Sequence, residues 1–219
     1  MRRFSQPPAS IAEAHEAALR TSGRATLQLV RGEIIVAPNR GAVAPLPSLL
    51  PYGLGAALGS PEAVATRVDV EEEFRRFAMP DLERFERGRD FCIGDESGRA
   101  FLRISDENDS SARLHGEVEL HLDGPFREHR ISPVGGRPPR SAYLRALRVG
   151  DPVYVFGLMR LEPDHSGFGQ GGYREAPLIA VFSGAHGPLH LYDEPSFEQV
   201  AAWSALPWYR KLSVMVRNR

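Results

Sequence analysis

At 219 residues, with 42% apolar and 25% charged side chains and a formal net charge of -1, the chain has the make-up of a soluble globular domain with a real core. The charge balance excludes a global field that would recruit nucleic acid. The single cysteine, Cys92, excludes a disulfide framework and a cysteine-rich zinc centre, and suits a reducing, cytoplasmic compartment.

Residues 1–22 read as an arm and a short helix. Met1-Arg2-Arg3-Phe4 is basic, but Pro7-Pro8 stands where a signal peptide needs an apolar run. Ser10 is placed to cap a helix over Ile11 to Arg20, with Ile11, Ala14, Ala18 and Leu19 on one face and Gly23 to stop it. Ala25 to Val36 predicts a strand in which Gly32 marks a bulge or bend. The stretch 41–61 carries no charge. It is long enough for a membrane span, but Pro45, Pro47 and Pro51 would break the helix. Two readings of this apolar loop stand side by side. Its leucines cap one end of the core, or Leu49, Leu50, Tyr52 and Leu54 are exposed for a protein partner or a membrane surface.

Val64 to Phe74 alternates, with Val64, Thr66, Val68 and Val70 on one face. Phe91 to Ile104 is the clearest element, two alternating runs around Asp95-Glu96-Ser97-Gly98. Asp95 can hydrogen-bond its own backbone, and Gly98 can supply the left-handed residue of a bulged type I turn. Leu114 to Leu122 predicts another strand, Ala142 to Arg148 a short helix, and Val153 to Leu161 a strand buried on both sides. Leu178 to Ser183 and Leu189 to Tyr192 follow as strands, and Ser196 is placed to cap a helix in the segment 193–219. The fold class is therefore mainly β. Residues 23–192 form an antiparallel β-barrel, OB-like or related, with short helical segments at the N- and C-terminal ends.

Chemical motifs are sparse. Gly167 to Gly172 spells G-x-G-x-x-G, but a strand follows where a dinucleotide site needs a helix, so a hairpin tip is expected. His115, Glu117, Glu119 and His121 share a strand face, yet His115 and His121 would stand roughly 20 Å apart along it. They cannot hold one ion. His186 and His190 have no evident third ligand, so no metal site is expected. There is no G-x-S-x-G elbow, and Cys92 sits mid-strand, so no catalytic residue or cofactor is expected. Arg137, Arg140, Arg145 and Arg148 make a local basic cluster that reads as solvated surface. The C-terminal run places Trp203, Trp208 and Tyr209 before Arg210 and Lys211, with Arg217 and Arg219 beyond and no acidic side chain after Pro207. Aromatics beside cations suit a bilayer interface; the same residues can equally fold onto the barrel.

Several pieces together resemble the GIDE domain, also called BAM for "beside a membrane". They are Gly32-Glu33, Ala44-Pro45-Leu46, Ala65 to Glu72, the hairpin Phe91 to Ala100, Leu147 to Gly157, and Pro177 to Ala180. The order and spacing fit over roughly residues 24–190. The hairpin and Gly150-Asp151-Pro152-Val153-Tyr154-Val155 also look like an OB-type barrel. The GIDE resemblance implies a non-catalytic, β-rich module near a membrane that presents surfaces to other proteins. It departs from the family's pattern in lacking visible flanking transmembrane helices. One cysteine cannot build the RING of its ubiquitin-ligase members, and residues 47–63 look like an insertion.

The expectation is thus an interaction module for a protein partner, with a membrane surface as a second candidate contact. Its contacts are the four loop residues above and Trp203, Trp208, Tyr209, Arg210 and Lys211 in the tail. The alternative is an OB-type nucleic-acid face, where Phe101 lies between Arg99 and Arg103 as a stacking platform among cations. Third comes an enzyme whose site is assembled from distant residues.

Overall fold

The structure, a computed structural model, describes residues 7–21, 24–35, 63–72, 83–105, 112–131, 140–163 and 177–205. The uncharged stretch 41–61, with Leu49, Leu50, Tyr52 and Leu54, lies outside them, as do Gly167 to Gly172 and the C-terminal residues Trp208, Tyr209, Arg210 and Lys211.

Helix α1 (Ile11–Arg20) forms where Ser10 predicts it. The Ser10 hydroxyl accepts from the Glu13 N–H, and the Glu13 carboxylate accepts from the Ser10 N–H, a complete capping box. Ile11, Ala14 and Ala18 are buried, while Leu19 is not on the packed face and stays exposed.

The strands follow in order: β1 (Thr26–Ile35), β2 (Ala63–Glu72), β3 (Glu83–Gly88), β4 (Phe91–Gly94), β5 (Arg99–Arg103), β6 (Val118–His121), β7 (Arg127–Ile131), β8 (Arg140–Arg148), β9 (Pro152–Pro163), β10 (Leu178–Ser183) and β11 (Leu189–Tyr192). A 3-10 turn spans Gly184–His186, and helix α2 (Glu194–Ala205) ends the described chain.

Five strands close a barrel in the order β1-β4-β5-β10-β9, with β9 returning to β1. Every seam is antiparallel except β5 on β10, which is parallel. Alternation fills the inside with Ile34, Ile93, Leu102, Val155, Met159 and Phe182, all essentially inaccessible to water. Gly32 is not at a bulge, because β1 runs in continuous register along β9. It is a point of close approach: a Cβ there would lie 3.1 Å from the Gly94 carbonyl and 3.2 Å from the Ile93 Cβ on β4.

β9 also reaches beyond the barrel. Its Tyr154 to Gly157 pair with β11, and β11 carries β6 beside it in parallel. Gly157 permits this, since a Cβ would meet Leu189 Cδ1 at 2.9 Å.

A second, antiparallel sheet has the order β3-β2-β8-β7. Here the expected helix over Ala142 to Arg148 is a strand instead, paired with β2 from Arg140 to Arg148. Ala142 and Leu144 alternate onto the apolar face of Val68 and Val70, and that burial outweighs local helix propensity.

The hairpin turn differs from expectation in one respect. Gly98 is not left-handed. The Asp95 carboxylate closes the turn itself, accepting from the Ser97 N–H (2.8 Å), the Gly98 N–H (2.9 Å) and the Ser97 hydroxyl (2.6 Å). Its other oxygen accepts from the Ile11 N–H at 2.9 Å, and Ser97 Oγ accepts from the Ala12 N–H at 3.0 Å. One turn thus closes the hairpin and satisfies the first donors of α1.

Burial pushes the Asp95 carboxyl up, but the bonds from Ser97, Ile11 and Gly98 outweigh it and hold the group below the ordinary carboxylate range. Its folded pKa is therefore lower than its unfolded one, so its contribution is present above about pH 3.9 and is lost as pH falls through the folded value. Asp95→Ala is expected to cost about 1–2 kcal/mol in urea unfolding at pH 7. Asp95→Asn should flatten the loss of stability as pH falls below about 4; an unchanged acid limb would contradict this role.

Candidate functional site

The β6–β11 extension brings together polar residues that the linear sequence separates. In the parallel register Glu119 stands opposite His190, and His121 opposite Tyr192. Val118 and Leu120 point into the core, as do Leu189 and Leu191, so Glu119, His121 and His190 share the outward face. Their ligand atoms lie within 4.8 Å of one another.

Neighbouring groups fix this face. The Tyr192 ring stacks on His121 with centroids 4.4 Å apart and planes 9° from parallel. Beyond the strands, Asp193 Oδ2 accepts from the Asp123 and Gly124 N–H groups at 2.9 and 2.6 Å, tying the chain after β6 to the chain after β11. Asp193 also caps α2, because its other oxygen accepts from the Ser196 N–H at 2.9 Å. Ser196, expected as the cap, lies inside the first turn and donates its hydroxyl to Asp123 at 3.0 Å.

Burial, then the adjacent His190, push the His121 imidazole below its ordinary pKa against the pull of Glu119. His121 is accordingly neutral near pH 7, with one ring nitrogen carrying a lone pair. Its side chain is 36% exposed, that of His190 13% and that of Glu119 62%, so the face opens to solvent on the carboxylate side.

A second ionic group adjoins it. Asp69, 5% exposed on β2, is met by Arg67 Nε at 3.0 Å, Arg84 Nε at 3.0 Å and Arg145 Nη1 at 3.1 Å. Arg67 also reaches the Leu120 carbonyl of β6 at 3.5 Å, which sets the second sheet beside the histidines. Burial raises the Glu86 carboxyl, partly offset by Arg84 and Arg67. Arg145 and Arg140, which read in sequence as solvated loop and helix surface, are strand residues committed to Asp69 and to Glu83 at 3.5 Å.

The remaining expected sites fall differently. Arg99, Phe101 and Arg103 do share the outward face of β5. Arg103 Nη2, however, lies 2.7 Å from the Glu162 carboxylate, and its guanidinium sits 5.9 Å from the Phe101 ring centre. Trp203 is half-buried on α2, whose Phe197 stacks on Tyr154 at 3.9 Å. His115 precedes a turn at Gly116-Glu117 and is separate from the triad, and His186 lies in the 3-10 turn. An open cleft of about 1020 Å³ beside the hairpin is lined by Arg31, Glu33, Glu96 and Arg99, but its Asp95 is consumed by the turn.

No protein-family model, curated protein or solved structure matches the chain.

Removing Asp69 leaves three guanidinium groups around a buried vacancy of charge. Asp69→Ala should cost about 3–5 kcal/mol in urea unfolding. Arg84→Ala, whose side chain is 47% exposed, should cost at most about 1 kcal/mol. Equal losses in the two variants would contradict Asp69 as the hub.

Proposed function

We propose that the protein is a non-catalytic binding module on an OB-type barrel, taking a protein partner. The observation that carries this reading is the strand order β1-β4-β5-β10-β9, closed on β1, with its parallel seam between β5 and β10. In OB-type barrels the outer face of the second and third strands and the loops around it serve as the ligand surface. The corresponding strands here are β4 and β5. The step from fold to role is an analogy at the level of architecture. The GIDE resemblance supports the same kind of role.

A protein ligand is favoured over nucleic acid by charge. A stacking platform for bases works inside a positive groove. Arg103 beside Phe101 is answered by Glu162, and the chain as a whole has a formal net charge of -1. A phosphate backbone therefore gains little here.

The reading extends to a membrane surface. Among the described residues no helix is long and apolar enough to cross a bilayer. The tail sequence sets Trp208 and Tyr209 beside Arg210 and Lys211, a composition that suits anionic headgroups.

Two measurements test these statements. In fluorescence anisotropy with single-stranded oligonucleotides at low ionic strength, no salt-sensitive binding is expected; binding that falls linearly with the logarithm of salt would overturn the choice of ligand. In co-sedimentation with anionic liposomes, the full chain should pellet and a chain ending at Leu206 should stay in solution. Equal pelleting would remove the tail from the account.

A further inference from the structure

We propose that Glu119, His121 and His190 form a binding site for one zinc-class divalent cation on the outward face of β6 and β11. The argument stands apart from the role proposed for the barrel and begins with three distances. His121 Nε2 and His190 Nδ1 are 3.2 Å apart, His121 Nε2 and Glu119 Oε2 are 3.4 Å apart, and His190 Nδ1 and Glu119 Oε2 are 3.1 Å apart. The same three atoms define all three contacts, so they form a nearly equilateral triangle. A tetrahedral ion bound at 2.0–2.1 Å holds its ligand atoms about 3.3 Å from one another. Rings meeting such an ion in their own planes have centres about 5.2 Å apart; the two imidazole centres are 5.5 Å apart.

Hydrogen bonding alone does not account for this triangle. A ring nitrogen either donates or accepts in its plane. If both imidazoles donate to Glu119, their N–H groups lie side by side and the 3.2 Å contact between the two nitrogens has no hydrogen to bridge it. If one imidazole donates to the other, the acceptor has no proton for the carboxylate. Any pattern with ionised Glu119 leaves a contact without a hydrogen. A single cation at the centre satisfies all three at once.

The site is also held in shape before any ligand arrives. Tyr192 stacks on His121, and Asp193 ties the two strand ends together. Packing of this kind restricts the rotamers of the ligating side chains. Two imidazoles and one carboxylate select zinc and its first-row neighbours over magnesium or calcium, which demand more oxygen donors. Glu119 is 62% exposed, and the fourth coordination position therefore faces water.

The test uses the full chain, dialysed against chelator, titrated with zinc chloride by isothermal calorimetry and with cobalt(II) by visible absorption. One equivalent of zinc is expected to bind at or below roughly 1 μM, and cobalt should give the intense band of a four-coordinate site. Glu119→Gln, an exposed and conservative change, should weaken zinc binding at least about tenfold, and His121→Ala with His190→Ala should abolish it. Circular dichroism checks that each variant remains folded; should the double variant unfold, the Glu119→Gln titration alone decides. No zinc binding at 100 μM-scale concentrations, roughly a hundred times the expected constant, would overturn the proposal. So would equal affinity in Glu119→Gln, or in a folded double variant, because the ion would then sit elsewhere.

Discussion

The architecture depends on β9 being shared by three neighbours. One edge of this strand runs along β1 from Pro152 to Met159 and so closes the barrel. The other edge is divided, with Met159 to Pro163 taking β10 and Tyr154 to Gly157 taking β11. Gly157 stands at the division, where Leu189 approaches too closely for a side chain. A strand confined to the barrel would offer β11 no partner, and β6 would have nowhere to attach. The closed core and the histidine face are therefore two results of one strand's length and one missing Cβ.

Charge is distributed in a way that follows from this arrangement. Several outward side chains on the barrel and on the second sheet are answered by nearby opposite charge: Arg103 by Glu162, Arg31 by Glu194, and three arginines by Asp69. Such pairing keeps arginine near sheet surfaces without producing a phosphate-binding field. At Glu119, His121 and His190 the three mutual contacts outnumber the hydrogens that can bridge them. The binding role proposed for the barrel and the cation site proposed at its extension are compatible, since they occupy different strands.

What the sequence discloses follows the range of the interactions. Helix α1 and the β4–β5 hairpin depend on residues within a few positions of one another, and Ser10 and Asp95 announce them. The alternation of Val64 to Val70 likewise marks β2 without any partner in view. β8 reads as a helix because Ala142 to Arg148 has acceptable local propensity; only its nine-residue pairing with β2 makes it a strand. Leu114 to Leu122 reads as one strand because alternation continues through Gly116-Glu117, where the chain turns. The histidine site is the least legible feature. Glu119 and His121 look like a solvated face, and His190 looks like half of a pair with His186. Their meeting requires a parallel seam between strands 69 residues apart at His121 and His190, and no local pattern encodes that. The signal that would have found it is the pairing of an E-x-H strand with a second strand presenting a histidine on its outward face.

The most direct measurement of this account is an anomalous-difference map at the zinc absorption edge, from crystals of the full chain grown with zinc. The account predicts β11 paired in parallel with β6 and one peak about 2.0–2.1 Å from Glu119 Oε2, His121 Nε2 and His190 Nδ1. A map in which His190 lies away from β6, or in which the peak sits on other residues, would contradict it.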